Sequence, residues 1–225
     1  EMEALRRDMG VESSPAIVEN GAGVLPPDVE TARSVSVYDD LLKRLNALPA
    51  DLRRHYSSFS QWDDEEVSRR TGLPKEGARL AKQRQYTEPG VWSGSDQDLD
   101  LFLKTLSQQG VTARRGGRFL TLSLGGTKAE RMSDALALCD LDRDKTIVVA
   151  LGDAPNDAEM LAAADYAIVI PNPGGKPVTI PDVDPAPAVR RANEAAPVGW
   201  NIEILKLLDE LDRAERLAAV AENRG

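Results

Sequence analysis

The chain has 225 residues and a formal net charge of −9, with 28 Lys and Arg against 37 Asp and Glu. This acidic balance argues against general nucleic-acid binding, which needs a basic face to neutralise phosphates. A small anionic substrate remains compatible with it, because one site can be locally positive or hold a metal ion. An apolar content of 41% is ordinary for a globular protein, and the length allows one large domain or two unequal ones.

Cys139 is the single cysteine and lies in an apolar helical pattern, which predicts a buried, small hydrophobic side chain. One cysteine is compatible with a reducing cytoplasm, where we expect the protein to work. We expect no membrane partner, since the sequence contains no apolar run of spanning length and no visible signal peptide. The sequence begins at Glu1, within a predicted helix, and we expect the natural protein to contain further residues upstream.

The first 26 residues predict the start of an α/β core. The segment "EMEALRRDMG" is typical of a helix that ends at Gly10. A short buried strand is predicted at 16–18, followed by a turn at Asn20–Gly21. A helix followed by a strand is typical of the alternating elements of an α/β protein.

Residues 27–124 predict an inserted α+β cap domain. Helical patterns include "YDDLLKRLNALP", "DDEEVSRRTG", "PKEGARLAKQRQY" and "SDQDLDLFLKTLSQQG", the last with Ser95 as its N-cap. The segment "VTARRGGRFLTLSLG" predicts a hairpin that turns at Gly116–Gly117.

Residues 125–225 predict the second part of the core, with a Rossmann-like parallel sheet. The segments "TIVVAL" and "YAIVI" are wholly apolar, as expected of strands covered on both faces. Helices are predicted before, between and after them, and 171–187 reads as a loop rich in Pro and Gly. The C-terminal helix has regularly spaced apolar residues at Ile202, Leu205, Leu208 and Leu211.

The segment "VVALGDAPNDAEML" places Asp153, Asn156 and Asp157 directly after a predicted strand. Ligands of an open parallel sheet bind beyond the carboxyl ends of its strands, and oxygen ligands at close spacing suit Mg²⁺. In the alternative, Asn156 caps the next helix, Glu159 completes a capping box and Asp157 serves the helix dipole. That alternative leaves Asp153 unexplained. We therefore favour a cation site, which can coexist with capping.

Lys128, in "GGTKAERM", begins a predicted helix. A cation is unfavourable at the N-terminal end of a helix dipole. The placement of Lys128 therefore indicates a functional role, such as binding a phosphate oxygen. Considered alone, Lys128 is better interpreted as a surface residue. Together with the Asp153 segment, the phosphate-binding interpretation is preferred.

These motifs resemble those of the haloacid-dehalogenase-type phosphatases. "GDAPND" after an apolar strand, with a Lys at an upstream helix start, resembles two motifs of that superfamily, and "VENGAG" resembles the turn of its Cof-type branch with a large α/β cap. Further segments, "IVIPNPGG", "GRFLTL" and "VGWNIEIL", are similar to its mannosyl-3-phosphoglycerate phosphatases. The resemblance covers nearly the whole chain.

The resemblance implies a phosphomonoesterase that forms an aspartyl-phosphate and uses Mg²⁺ as cofactor. By matching positions, Lys128 would hold the phosphate, while Asp153 and Asp157 would be the metal and catalytic carboxylates. Asn156 would orient the phosphate or Asp153, and the Asn20–Gly21–Ala22 turn would contact substrate. The family's Asp-x-Asp nucleophile motif, at the end of a first strand, has no counterpart here. We therefore expect this chain alone to be inactive and its full-length parent to be active.

In the cap, the resemblance implies that polar side chains select a small phosphorylated sugar–glycerate. Arg84, Glu88 and Arg118 lie near predicted loop and strand ends, and an Arg can bind a carboxylate through two parallel hydrogen bonds. For any single Arg, a solvated surface role is the stronger interpretation. Two alternatives stay open: another capped sugar phosphatase, for example of glucosyl-3-phosphoglycerate or a hexose phosphate, and a non-catalytic binding protein.

Overall fold

The structure is a computed structural model that describes residues 2–27 and 35–222. It consists of two compact units, the first ending at Asp140 and the second beginning at Leu141. The boundaries at 1–26, 27–124 and 125–225 that the sequence suggests for core and cap stay a prediction. No helix in the described part of the chain combines the length and the apolarity needed to cross a membrane.

The first unit opens with a helix and a two-stranded antiparallel sheet. Helix α1 (Met2–Asp8) is followed by strands β1 (Ala16–Val18) and β2 (Gly23–Leu25). The buried guanidinium of Arg6 donates hydrogen bonds to two backbone carbonyls of this segment, so it ties the helix to the hairpin. The predicted strand at 16–18 and the turn after it are confirmed.

The rest of the first unit contains a four-stranded antiparallel sheet, in the order β3-β4-β6-β5, covered by helices. Its elements are α2 (Val35–Asn46), α3 (Ala50–Arg53), β3 (Tyr56–Ser58), α4 (Asp64–Thr71), α5 (Lys75–Ala81), β4 (Thr87–Trp92), α6 (Asp96–Gln108), β5 (Thr112–Gly116), β6 (Phe119–Ser123) and α7 (Lys128–Leu138). Leucines of α2 and α6 pack with Leu120 and Leu122 of β6 and form the main core. The predicted helices and hairpin are confirmed, whereas β3 and β4 were not predicted.

The second unit is a parallel three-stranded sheet with helices. Its elements are β7 (Val149–Gly152), α8 (Ala158–Ala162), β8 (Tyr166–Val169), β9 (Ala188–Arg191) and α9 (Val198–Glu222), with strand order β7-β8-β9. Strand β9 was not predicted. Strand β7 begins at Val149, three residues after the predicted start, and the side chain of Ile147 is 56% exposed.

Helix α9 buries a different face from the one that its regularly spaced apolar residues suggest. Ile202, Leu205 and Leu208 are exposed, whereas Leu207 is buried and packs in a cluster with Ile168 of β8. Of the predicted residues, Leu211 packs against this cluster together with Ile204, and Ile204, Leu207 and Leu211 are themselves helically spaced. The helix therefore has two apolar stripes, and contact with the sheet selects the buried one. The aliphatic side chains of the exposed face contribute little to this core.

The prediction that Cys139 is buried is wrong. Helix α7 ends at Leu138, so Cys139 is the residue after its last turn, and its thiol is exposed. No side chain of α7 is fully buried. The apolar pattern of this helix therefore did not indicate a deeply packed face.

The four-stranded sheet of the first unit carries a buried carboxylate. The side chain of Glu88, on β4, is fully buried and accepts hydrogen bonds from the Tyr38 hydroxyl at 2.5 Å and from the Ser60 backbone N–H at 2.9 Å. The Tyr56 hydroxyl is also buried and donates towards backbone carbonyls of β4 and β6. Because buried polar groups are costly when unpaired, these hydrogen bonds are needed to keep Glu88 in the interior.

We expect the protein to lose stability steeply above about pH 10, the ordinary pKa of tyrosine. Burial, followed by the charge of Glu88, raises the pKa of the Tyr38 and Tyr56 phenols above that value. The folded state then keeps protons that the unfolded chain has lost, so the contribution of these phenols to the free energy of unfolding is constant below this pH and falls as pH rises further. Urea unfolding between pH 8 and 11 measures the slope, which Tyr56→Phe should reduce. An unchanged slope in that variant would contradict the prediction.

Candidate functional site

The predicted cation-binding segment lies at the carboxyl end of β7. Asp153 follows the last residue of the strand and is exposed, and Pro155–Asp157 forms a turn of 3₁₀ helix that leads into α8. Strands β7 and β8 are parallel, with Gly152 paired to Val169. Their carboxyl ends therefore meet at one edge of the sheet, where ligands of open α/β sheets bind.

A second polar side chain joins Asp153 from the neighbouring strand. Asn172 follows β8, and its Nδ2 atom donates a hydrogen bond of 2.8 Å to Oδ2 of Asp153. Asn172 was not among the predicted site residues, although "PNPGG" was noted for its resemblance. Its signal in the sequence is its position just after a buried strand, the same signal that identified Asp153.

The carboxylate of Asp157 accepts hydrogen bonds from the backbone of its own loop. Its side chain is 5% exposed, and Oδ2 accepts hydrogen bonds from the backbone N–H groups of Asp153 at 3.1 Å and Ala154 at 3.2 Å. The alternative interpretation places Asn156 at the N-cap of α8, whereas in the structure the N-cap is Asp157, whose side chain makes no capping hydrogen bond to that helix. A role of Asp157 as metal ligand, directly or through water, stays a prediction.

Glycine at position 152 is required by this carboxylate. A Cβ atom built on Gly152 would lie 2.5 Å from Cβ of Asp157. The φ of Gly152 lies outside the left-handed region, so the backbone conformation does not itself require glycine here. Its actual role is to let the Asp157 side chain approach the end of β7.

The chemistry of the Asp153 segment fits Mg²⁺. This cation binds one or two carboxylates and keeps several waters or substrate oxygens. Asp153 offers an exposed carboxylate already held by a neighbour, and the carboxylate of Asp157 lies in the same loop. Within residues 2–27 and 35–222, no group of three or more His, Cys, Asp and Glu side chains is placed to hold a metal ion. Any cation held here would therefore depend on waters or ligand oxygens as well.

Lys128 is the first residue of α7, as predicted. Thr127 is the N-cap and forms a full capping box with Glu130, in which each side chain accepts the other's backbone N–H. The box fixes where the helix starts, and so it fixes the backbone position of Lys128. The predicted site residue of the first unit therefore lies at a capped helix end.

The Asn20–Gly21–Ala22 turn packs directly against this helix start. A Cβ on Gly21 would overlap the backbone N of Lys128 and the carbonyl group of Thr127. Asn20 and Gly21 both have left-handed backbones, with φ of 58° and 90°. The structure therefore brings the predicted turn residues and Lys128 together.

Two further features surround the turn. The carboxylate of Glu19 accepts hydrogen bonds from the Gln85 backbone N–H at 2.9 Å and the Thr87 hydroxyl at 2.5 Å, which anchors the turn to β4.

A cavity of about 300 Å³ lies beside the turn. Arg131, which lines it, pairs with Asp134 and donates a hydrogen bond to the carbonyl of Gly21. The remaining lining residues are Ala22, Gly23, Val24, Val37, Tyr86, Leu124 and Gly125.

The two predicted arginines make local contacts within the first unit. Nε of Arg84 donates to the carbonyl of Ala81 at 2.8 Å, and Arg118 donates to the carbonyl of Thr71 at 2.9 Å. Each contact attaches a loop or hairpin residue to the end of a nearby helix. Their predicted contacts with a substrate stay a prediction.

Asp-x-Asp pairs occur at several places, but in the described residues none directly follows the carboxyl end of a strand. The pairs lie on α6, in the turn and 3₁₀ helix before β7, and in the loop before β9. The aspartates concerned are Asp96, Asp98, Asp100, Asp140, Asp142, Asp144, Asp182 and Asp184.

No family model matches the chain. Among solved structures, a hypothetical protein from Geobacillus kaustophilus HTA426 has a TM-score of 0.53 at 16% identity, over 92% of this chain and 81% of that one. A Thermotoga maritima protein has a TM-score of 0.48 at 16% identity, over 88% and 80%. A haloacid dehalogenase-like hydrolase from B. subtilis has a TM-score of 0.40 at 16% identity, over 75% and 73%. The chain has an α/β fold, as predicted, and shares it with the Geobacillus protein.

Proposed function

We propose that the protein is a Mg²⁺-dependent phosphomonoesterase whose substrate is a small phosphorylated sugar–glycerate, mannosyl-3-phosphoglycerate. The products would be mannosylglycerate and phosphate. The observation that carries the proposal is the exposed carboxylate of Asp153, which lies at the carboxyl end of a parallel strand and is held by Asn172. This is the position at which the resemblance puts a magnesium ligand.

Each of the predicted site residues would have its own role in the reaction. Asp153 binds the cation, and Asp157 holds the backbone of the loop that carries it. Lys128 places a positive charge on a phosphoryl oxygen, and Asn156 orients that oxygen or Asp153. Mg²⁺, when bound, supplies charge neutralisation at the phosphoryl group. Arg84 and Arg118 would contribute to recognition of the sugar–glycerate.

The proposal is tested by release of inorganic phosphate from a panel of phosphomonoesters, with Mg²⁺ or with EDTA. The product of the whole gene is expected to show Mg²⁺-dependent turnover, with the highest kcat/KM for mannosyl-3-phosphoglycerate. Lys128→Met should lower kcat by about 10²- to 10³-fold, because a charge aimed at the transition state is lost. The 225-residue chain is expected to release no phosphate, because none of its described Asp-x-Asp pairs ends a strand.

The controls separate the alternatives. Arg7→Met removes the positive charge of an exposed side chain of α1 that is not among the predicted site residues, and it should leave kcat unchanged. Faster turnover of glucosyl-3-phosphoglycerate or a hexose phosphate would replace the proposed substrate but keep the reaction. Turnover that persists in EDTA would contradict the role of Mg²⁺.

A non-catalytic binding protein is the second candidate, and the positions of the Asp-x-Asp pairs favour it. It predicts that the product of the whole gene binds Mg²⁺ and phosphorylated sugars without releasing phosphate. Calorimetric titration with mannosyl-3-phosphoglycerate in the presence of Mg²⁺, run beside the turnover assay, distinguishes binding alone from catalysis.

A further inference from the structure

We infer that Asn172 is a positioning residue, which orients the carboxylate of Asp153 for a divalent cation. The inference rests on the proposed function, in which Asp153 binds Mg²⁺. Its structural basis is the 2.8 Å hydrogen bond from Nδ2 of Asn172 to Oδ2 of Asp153, made between two loops that follow neighbouring parallel strands.

The hydrogen bond fixes a side chain that would otherwise rotate. Asp153 is exposed and starts a loop, so packing restricts its carboxylate little. An amide N–H that donates to one carboxylate oxygen selects one orientation of the group and still leaves lone pairs for a cation. Groups that hold a metal ligand in this way commonly change metal affinity by about 10- to 100-fold when they are replaced.

Asn172 is itself held by Gly175. The backbone N–H of Gly175 donates to the carbonyl of Asn172 at 3.0 Å, which closes a tight turn. A Cβ atom on Gly175 would lie 2.7 Å from Cγ and Nδ2 of Asn172, so only glycine leaves room for the amide. A Cβ on the adjacent Gly174 would meet no atom within 4 Å. The pair of glycines therefore provides a perturbing variant and a matched control.

A purely structural role makes a different prediction from a positioning role. If the hydrogen bond only joined two loops, its loss would lower stability and leave the cation affinity of Asp153 unchanged. If it positions the carboxylate, its loss should weaken cation binding with little effect on unfolding, because both partners are exposed. The two roles are separated when affinity and stability are measured on the same variants.

The experiment measures Mn²⁺ binding to the chain by electron paramagnetic resonance, with Mn²⁺ in place of Mg²⁺, and urea unfolding in parallel. Asn172→Ala and Gly175→Ala are each expected to weaken Mn²⁺ binding about 10- to 100-fold with no change in the unfolding midpoint. Gly174→Ala should keep the wild-type affinity. Asp153→Asn should abolish binding at this site.

The outcomes distinguish the inference from the proposed function. Wild-type Mn²⁺ affinity in Asn172→Ala, together with lost binding in Asp153→Asn, would overturn the positioning role and leave the cation site intact. A lowered unfolding midpoint with unchanged affinity would show that the hydrogen bond is structural. Wild-type affinity in Asp153→Asn, or no binding by the wild-type chain, would instead overturn the proposed cation site.

Discussion

Replacing Gly21 with alanine is expected to lower the free energy of unfolding by about 4 kcal/mol. Gly21 has a φ of 90°, which costs a residue with a Cβ about 1–2 kcal/mol. The new methyl group would also overlap the backbone at Thr127 and Lys128, which cannot move away as a flexible side chain can. Urea unfolding measures the loss, and hydrogen exchange at the start of α7 should increase.

Gly10→Ala is the matched control for this prediction. Gly10 also has a left-handed backbone, with a φ of 67°, but a Cβ there would meet no atom within 4 Å. Its cost should be limited to backbone strain, about 1 kcal/mol. Equal losses in the two variants would show that the turn does not pack against the Lys128 helix as the structure describes.

Replacing Gly152 with alanine is expected to cost about 3 kcal/mol and to weaken Mn²⁺ binding. The added Cβ would lie 2.5 Å from Cβ of Asp157 and displace its carboxylate. The backbone N–H groups of Asp153 and Ala154 would then lose their acceptor, so the loop that carries Asp153 should open. Urea unfolding and the Mn²⁺ titration measure the two effects.

Gly116→Ala provides the control for a glycine within a strand. Gly116 is exposed on β5, its φ lies outside the left-handed region and a Cβ there has open space. Its replacement should change stability by no more than about 1 kcal/mol. If Gly152→Ala behaves in the same way, the close approach of Asp157 to β7 is contradicted.

The helices of the first unit could be predicted from sequence because their signals are local. Asp63 caps α4 and Ser95 caps α6 through hydrogen bonds to backbone N–H groups three residues on, and Gly72 ends α4 with a φ of 80°. Caps, acidic first turns and apolar spacing all act within a few residues of chain. They need no knowledge of the tertiary structure.

The elements that were missed depend on distant partners. Strand β9 directly follows the segment predicted as loop, and it forms because Ala188–Arg191 pairs with Tyr166–Val169. The buried face of α9 is likewise set by the sheet against which Leu207 packs. The pairing leaves no clear periodic signal in the four residues of β9. Helix α9 has two apolar stripes, and spacing alone does not decide which of them is buried.

The site could be predicted only in part for the same reason. The position of Asp153 after an apolar strand was sufficient to predict where it lies, whereas its role as a cation ligand stays a prediction. Its partner Asn172 lies 19 residues further on, and only the parallel pairing of β7 with β8 brings them together. The role of Gly152 could not be predicted, because the close approach of Asp157 is a property of the folded loop.

The exposed thiol of Cys139, directly after α7, can be labelled selectively. Cys139 is the single cysteine in the sequence, so a maleimide dye or nitroxide would attach at one known position without any engineered substitution. The label would sit next to Asp140, where the first compact unit ends. Paired with a second label introduced in the second unit, it would allow the separation of the two units to be measured in solution.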